Sequence, residues 1–172
     1  NRVLAQCLIR LAPEGLSFVE IPIRDLPIYS QDYDENYPPE GLALKEAIAS
    51  VDAVLFVTPE FNRSIPGGLK NAIDWASRPW GQNSFDHIAA AVIGASPGAI
   101  GTALAQQSLR AVLSFINARQ MTSPEAYITF DAEVFGHDGS VSDAATEEFL
   151  RSYMREFAAH VQRVLTVLPR PR

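Results

Sequence analysis

The chain of 172 residues contains one cysteine and three histidines. A single cysteine excludes an intrachain disulfide and a metal site built from several thiolates. We expect Cys7, on the apolar face of a predicted helix, to be a small buried hydrophobic residue. His87, His137 and His160 have no serine or cysteine partner at a recognisable spacing and form no H-x-x-x-H motif. The sequence therefore predicts neither a hydrolase triad nor a metal centre.

Long apolar runs and basic stretches are also lacking. No apolar run approaches the ~20 residues needed to cross a bilayer, and no segment has the pattern of a signal peptide. The net charge is −6 without a basic stripe, which argues against nucleic-acid binding. We expect a single globular domain over residues 1–172, located in the cytoplasm and binding neither nucleic acid nor membrane.

Helical and strand patterns alternate along the chain. The predicted strands cover residues 17–21, 53–58, 88–94 and 126–130, and helical patterns lie near residues 3–11, 40–50, 66–76, 102–117 and 143–168, the last capped by Ser142 or Asp143. Every later helix follows a strand, so we also expect a strand and its loop before Asn1. Counting that strand, the five strands and five helices suit an α/β fold of three layers. We predict a flavodoxin-like, doubly wound parallel sheet with strand order 2-1-3-4-5.

Residues 22–39 form a long segment without clear periodicity. Loops of this length in compact domains are often functional or mobile. We interpret the segment as a solvated surface connection, with a functional loop as the alternative.

Three predicted loops meet at the carboxyl edge of the sheet, where ligands bind in open α/β folds. One leads into Asn1-Arg2, and the others cover residues 59–64 and 96–101. Each has small or polar residues before a helix N-terminus, where unpaired N–H groups and the helix dipole favour anions. We expect a phosphate at the first loop and a flat heterocycle between the other two.

Each candidate residue has a structural alternative. Asn62 could bind a ring edge or cap the following helix, and Glu60 could contact a ligand or pair with Arg63. The Pro97-Gly98 pair could approach a ligand or form a tight turn. Phe61 could stack on a ligand or a partner subunit, or belong to the core. Because the sequence offers no acid–base pair, nucleophile or metal site, chemistry would have to come from a cofactor.

Residues 58–75, TPEFNRSIPGGLKNAIDW, closely resemble the signature of the NADPH-dependent FMN reductase family. That family includes bacterial quinone and chromate reductases and some azoreductases. Asn1-Arg2 resemble the end of a G-S-x-R-x-x-S-x-N phosphate loop. Residues 26–29 are similar to a short L-P-x-Y connection, and residues 96–101 are similar to an S-x-G-x-x-G loop.

The resemblance implies a flavodoxin-like homodimer or homotetramer that binds FMN non-covalently. Two positions depart from the family pattern: Phe61 stands where Tyr is usual, and Gly101-Thr102 where Gly-Gly is common. Because the phosphate loop is cut off at Asn1, we expect the chain as given to bind FMN weakly. Carried over by position, Asn1 lies near the phosphate, Pro59, Glu60, Phe61 and Asn62 edge the isoalloxazine ring, and Ser96 and Gly98 lie on its other side.

The implied function is an FMN-dependent NAD(P)H oxidoreductase. Electrons would pass from NADPH or NADH to a quinone, flavin, azo compound or metal oxyanion, and we assign no catalytic residue because no side chain has to donate a proton directly. The alternatives are a flavodoxin-type electron carrier without NAD(P)H turnover and a domain that has lost its cofactor. We also predict that Trp75 and Trp80, which flank Arg78-Pro79, lie at a subunit interface, with local packing as the alternative.

Overall fold

The computed structural model describes residues 1–169, and this part of the chain forms five α-helices and four β-strands. The helices are α1 (Arg2–Leu11), α2 (Pro39–Ala49), α3 (Gly67–Ala76), α4 (Ala103–Phe115) and α5 (Ala144–Val167). The strands are β1 (Ala53–Val57), β2 (Ala89–Ser96), β3 (Arg119–Gln120) and β4 (Tyr127–Thr129). As predicted, Asp143 caps α5, accepting a hydrogen bond from the backbone N–H of Thr146 at 2.8 Å.

Strand β2 lies at the centre of the sheet. On one side it pairs with β1 over its first residues, from Ala89 to Ile93. On the other side its first residues pair with β3 and its last residues with β4, so β3 and β4 are two segments of one interrupted edge strand. All of these pairings are parallel, and the order β1-β2-β3 confirms the predicted flavodoxin-like α/β class.

The interruption of the edge strand leaves the middle of β2 without a neighbouring strand on that side. There the hydroxyl of Tyr153, from α5, donates to the carbonyl of Val92 at 2.9 Å. Burial raises the pKa of the Tyr153 phenol, which keeps it protonated as a donor. Within the interruption, Gln106 of α4 donates to the carbonyl of Ala126 at 2.7 Å. Side chains from two helices thus replace part of the missing backbone ladder.

The residues of β2 alternate between two cores because successive side chains point to opposite faces of a strand. One core contains α1 and α5, and the other contains α2, α3 and α4. Coverage on both faces explains why β2 is apolar without interruption. Cys7 is fully buried in the first core, as predicted, and burial raises the pKa of its thiol.

The strand predicted at residues 17–21 is wrong, because this segment forms no strand pairing. A strand needs a neighbour for its N–H and C=O groups, and none lies beside this segment within residues 1–169. Of the four strands predicted within the chain, three form, as β1, β2 and β4, and the fourth observed strand, β3, was not predicted. The strand expected before Asn1 lies outside this chain and stays a prediction.

The interpretation of residues 22–39 as a surface connection is confirmed, because none of these residues is buried and most are exposed, although three of its tyrosines pack on the protein. Tyr29, Tyr33 and Tyr37 surround the indole ring of Trp75, with ring centroids 5.1, 5.6 and 4.9 Å away. Trp75 is fully buried, so the predicted interface role is wrong for this residue. It stays a prediction for Trp80, which is 77% exposed.

No helix within residues 1–169 is long and apolar enough to span a membrane.

The structure predicts that Gly94 tolerates no side chain. A Cβ at this position would lie 2.1 Å from the carbonyl oxygen of Thr58 and 2.3 Å from Oγ1 of Thr102. We expect Gly94→Ala to lower the free energy of unfolding by about 3 kcal/mol, because the backbone of Thr58 cannot move aside without breaking the β1–β2 pairing. Urea unfolding followed by circular dichroism measures this change.

The matched control is Gly68→Ala in the first turn of α3. A Cβ there meets nothing within 4 Å, and alanine is the better helix former by up to about 1 kcal/mol. This variant should be as stable as the parent or more stable. Equal urea midpoints for the two variants would contradict the close approach at Gly94.

Candidate functional site

The carboxyl ends of β1 and β2 bring the three predicted segments together. The backbone N–H of Thr58 donates to the carbonyl of Ile93 at 3.0 Å, which extends the β1–β2 pairing by one residue. The Thr58 hydroxyl donates to the carbonyl of Pro59 at 2.9 Å and orients the start of the following loop. Residues 59–64, residues 96–101 and Asn1 therefore share one edge of the sheet, as the sequence predicted.

Residues 61–64 form a tight turn held by two reciprocal backbone hydrogen bonds of 3.0 Å between Phe61 and Ser64. Its central residues, Asn62 and Arg63, have φ values of 51° and 64°, the left-handed geometry of a type I′ turn. Pro66 is the N-cap of α3, so the alternative that Asn62 caps this helix is wrong. Phe61 is 60% exposed, so its assignment to the core is also wrong. The turn exposes Phe61 and Asn62 to solvent, and their contact with a ligand stays a prediction.

The carboxylate of Glu60 is held by the protein itself. Its Oε2 accepts hydrogen bonds from the backbone N–H groups of Leu104 and Ala105, both at 3.1 Å, in the first turn of α4. Its Oε1 lies 3.5 Å from Nη1 of Arg63, which confirms the predicted pairing. The N-cap of α4, Thr102, makes no side-chain capping bond. Glu60 thus caps α4 from the loop after β1, where a negative charge also interacts favourably with the helix dipole.

A second contact joins the same loop to α4. The hydroxyl oxygens of Ser64 and Ser108 are 3.0 Å apart. With Glu60 at one end of the loop and Ser64 at the other, residues 60–64 are attached to α4 at two points. The backbone of the turn is therefore positioned by the helix that follows β2.

Residues 96–101 form the tight turn that was one of the two interpretations of Pro97-Gly98. The N–H of Gly101 donates to the carbonyl of Gly98 at 3.0 Å, and the hydroxyl of Ser96 donates to the carbonyl of Gly101. Gly98 is exposed, and a Cβ there would meet only Oγ of Ser96, at 3.7 Å. Its backbone is therefore open on the outer side, and the predicted ligand contact of Ser96 and Gly98 stays a prediction.

Asn1 is bound to the end of β2 by both ends of its side-chain amide. Its Nδ2 donates to the carbonyl of Ala95 at 2.9 Å, and its Oδ1 accepts from the N–H of Ala95 at 2.8 Å. It makes no side-chain capping bond to α1, and the first turn of α1 contains no acidic residue. Asn1 therefore fixes the start of α1 beside Ser96. Its placement near a phosphate stays a prediction.

The roles of Asn71 and Trp75, which lie within the signature, were not predicted from the sequence. Asn71 Nδ2 and Trp75 Nε1 both donate to the carbonyl of Pro27, at 2.9 and 2.7 Å, and Asn71 Oδ1 accepts from the N–H of Tyr29 at 2.9 Å. The second half of the signature thus binds the L-P-x-Y segment. The sequence did contain one signal for this contact, because both segments resemble motifs of the same family.

Grooves in the described structure also lie away from this edge. One of about 490 Å³ runs between β3 and α5, and one of about 360 Å³ runs between α3 and α4. Neither is lined by residues 59–64 or 96–101. The candidate site is thus distinct from these two grooves and consists of the loops at the sheet edge.

We expect Glu60→Ala to lower the free energy of unfolding by about 1–2 kcal/mol, the usual cost of removing a helix cap. The reason is that the N–H groups of Leu104 and Ala105 lose their acceptor in a position where the Glu60 side chain is only 9% exposed. Urea unfolding measures the loss. The control is Glu46→Ala on the exposed face of α2, where the change should stay within about 0.5 kcal/mol. An equally small change for Glu60→Ala would show that the cap contributes little.

Comparison with known proteins gives a family match over most of the chain. Residues 1–133 match the family model described as NADPH-dependent FMN reductase. A 2-hydroxy-1,4-benzoquinone reductase from a Burkholderia species is 46% identical over 162 residues, covering 94% of this chain and 88% of that protein. A quinone reductase from Escherichia coli strain K12 is 37% identical over 168 residues, covering 95% of this chain and 89% of that protein.

A solved structure agrees with the fold described above. It is FerB, a flavoenzyme NAD(P)H:(acceptor) oxidoreductase from Paracoccus denitrificans, with a TM-score of 0.90 and 46% sequence identity, covering 94% of this chain and 88% of that chain. The family model and these relatives confirm the resemblance that residues 58–75 carry. The chain belongs to the NADPH-dependent FMN reductase family of oxidoreductases.

Proposed function

We propose that this protein passes electrons from NADPH or NADH, through non-covalently bound FMN, to a quinone. The observation that carries the proposal is the exposed turn at Phe61 and Asn62, held by Glu60 and Ser64 against α4 beside residues 96–101. Relatives with quinone reductase activity in their names, at 37–46% identity, support the choice of acceptor. When bound, FMN supplies the redox chemistry by accepting a hydride and releasing electrons to the acceptor.

Two loops at the sheet edge offer surfaces for the two sides of a flat ring system. We propose that Pro59, Glu60, Phe61 and Asn62 border the ring on one side, and that Ser96 and Gly98 border it on the other. Phe61 offers an exposed aromatic face, and Gly98 leaves its backbone bare. Because the turn and the loop after β2 are fixed by hydrogen bonds, the chain contributes orientation of the cofactor.

The electrostatics of the helix N-termini support one place for the phosphate. The Glu60 carboxylate already occupies the N-terminus of α4 and would repel a phosphate there. The first turn of α1 contains no acid, and an α-helix leaves its first N–H groups without intrahelical acceptors. We propose that Asn1, by clamping α1 to Ala95, holds this N-terminus beside the ring site.

We also propose that the protein forms a homodimer or homotetramer through the outer face of α4. Leu104, Ala111 and Phe115 form an exposed row on that helix, which we name the α4 stripe. Phe115 is 69% exposed and contacts Trp80, with ring centroids 6.5 Å apart. The neighbouring groove contains Lys70 and Asp74, which pair at 2.8 Å, and Arg78, whose guanidinium lies over the Trp80 ring at 5.6 Å. In a chain of net charge −6, a face with exposed apolar residues and no excess of acidic ones suits a second copy, because the negative charge of the two copies is not concentrated there.

The single cysteine, buried as Cys7, supports a cytoplasmic location. We propose that location for the protein. Cell fractionation checks it, and recovery outside the cytoplasmic fraction would contradict it.

The first prediction here concerns the flavin. The full-length protein should take up FMN and turn yellow, and rapid mixing with NADPH or NADH should bleach the flavin absorbance. Steady oxidation of NADPH with a quinone separates an enzyme from an electron carrier. A bound flavin that stays oxidised under excess NADPH and NADH would contradict the proposal, and a protein that takes up no FMN would indicate a domain that has lost its cofactor.

The second prediction concerns assembly. Phe115→Glu places a charge in the α4 stripe and should convert the oligomer to a monomer, since two like charges would meet at the interface. Light scattering after size-exclusion chromatography measures the mass. The control is Val167→Glu on α5, another exposed apolar residue outside the stripe, which should leave the mass unchanged. A monomeric parent protein at micromolar concentration would refute the interface.

A further inference from the structure

Arg63 has an unfavourable backbone conformation. Its φ of 64° lies in the left-handed region, where an L-residue without a compensating local bond is destabilised. Type I′ turns favour Asn and Gly at their central positions. Asn62 follows that preference and Arg63 does not.

Other left-handed residues of the chain have side chains that are bonded in place. His87, with φ of 59°, accepts a hydrogen bond at Nδ1 from Arg119 at 2.7 Å. Asn117, with φ of 60°, donates to Asp86 at 2.6 Å. These contacts give both residues a structural reason for their positions.

The contact of Arg63 with Glu60 does not provide a comparable reason. The two side chains approach to 3.5 Å, and the Arg63 side chain is 67% exposed. The Glu60 carboxylate is already held at Oε2 by two N–H groups of α4. The Glu60 side chain is only 9% exposed, but at 3.5 Å, with the guanidinium end in solvent, the ion pair contributes little to stability. The conformational cost at Arg63 therefore calls for a role other than folding.

We propose that Arg63 binds a phosphate group of the reduced pyridine nucleotide and so determines the affinity for the hydride donor. This inference rests on the proposed function and names a specificity-determining residue for it. The planar guanidinium suits a phosphate because it can donate two parallel hydrogen bonds to it.

The position of Arg63 supports this role. It directly follows Phe61 and Asn62, the residues proposed to border the ring, and its guanidinium is largely exposed beside the Glu60 carboxylate. The turn is anchored to α4 through Glu60 and Ser64, which holds the Arg63 backbone in place. The chain as a whole has a net charge of −6 and repels an anionic nucleotide. A cation at this turn offsets that repulsion where the nucleotide would bind.

The test compares Arg63→Gln and Arg63→Lys with a matched control, Arg163→Gln. Arg163 is 59% exposed, pairs with one glutamate and lies on α5, away from residues 59–64. The measurements on the FMN-loaded full-length protein are the dissociation constants of NADP⁺ and NAD⁺ by calorimetry, the KM values for NADPH and NADH, and kcat and KM for the quinone.

Arg63→Gln should raise the dissociation constant and the KM of the nucleotide about tenfold, since it removes a charge-assisted contact, and should leave kcat and the quinone KM unchanged. Arg63→Lys should retain part of the affinity, and Arg163→Gln should match the parent. A loss confined to NADP⁺ and NADPH assigns the contact to the 2′-phosphate, and an equal loss for all four nucleotides assigns it to the pyrophosphate. Nucleotide constants within twofold of the parent, or a change only in kcat or in the quinone KM, would overturn the inference.

Thermal stability gives a second, opposite readout. Arg63→Gly suits the left-handed conformation and should raise Tm by about 2 °C while nucleotide affinity falls. A lower Tm with unchanged affinity would show that Arg63 serves the fold and would overturn the inference. Failure of the parent flavin to be reduced by NADPH or NADH would instead refute the proposed function, so the two failures are distinguishable.

Discussion

The candidate site depends on one interaction, the carboxylate of Glu60 at the N-terminus of α4. It joins the loop after β1 to the helix after β2 through two backbone N–H groups. Without it, the first turn of α4 would have unpaired donors and the turn at residues 61–64 would be attached to α4 only by Ser64. The same carboxylate makes this N-terminus unsuitable for a phosphate. One acid therefore holds the loop after β1 against α4, and in the function we propose it also directs the charged end of the cofactor to another helix.

The family signature divides into two parts with different physical roles. Its first part, residues 58–64, forms the exposed turn at the sheet edge. Its second part, through Asn71 and Trp75, binds the segment that contains Pro27 and Tyr29. A long segment without periodicity is thereby packed around a buried indole ring. Residues that look like one motif in the sequence thus build both the site and the scaffold beneath it.

Much of the fold could be predicted because its signals are local. The apolar run of β2, the Asp143 cap of α5 and the helical spacing around Cys7 each lie within a few residues of sequence. The strand predicted at residues 17–21 was wrong because a strand also needs a neighbour, which a local pattern does not report. The short β3 was missed because two residues contain no period to detect.

The sequence by itself determined the α/β class, the family and which loops share the carboxyl edge of the sheet. Tertiary structure decided what each polar side chain does there. Glu60 and Leu104 are 44 positions apart, Asn1 and Ala95 are 94 apart, and Trp75 and Pro27 are 48 apart. Periodicity and turn preferences act over a few residues, whereas these hydrogen bonds exist only after the helices have packed on the sheet. For the same reason the sequence left Glu60 as either a ligand contact or an ion-pair partner, and only the folded chain shows that it also caps α4.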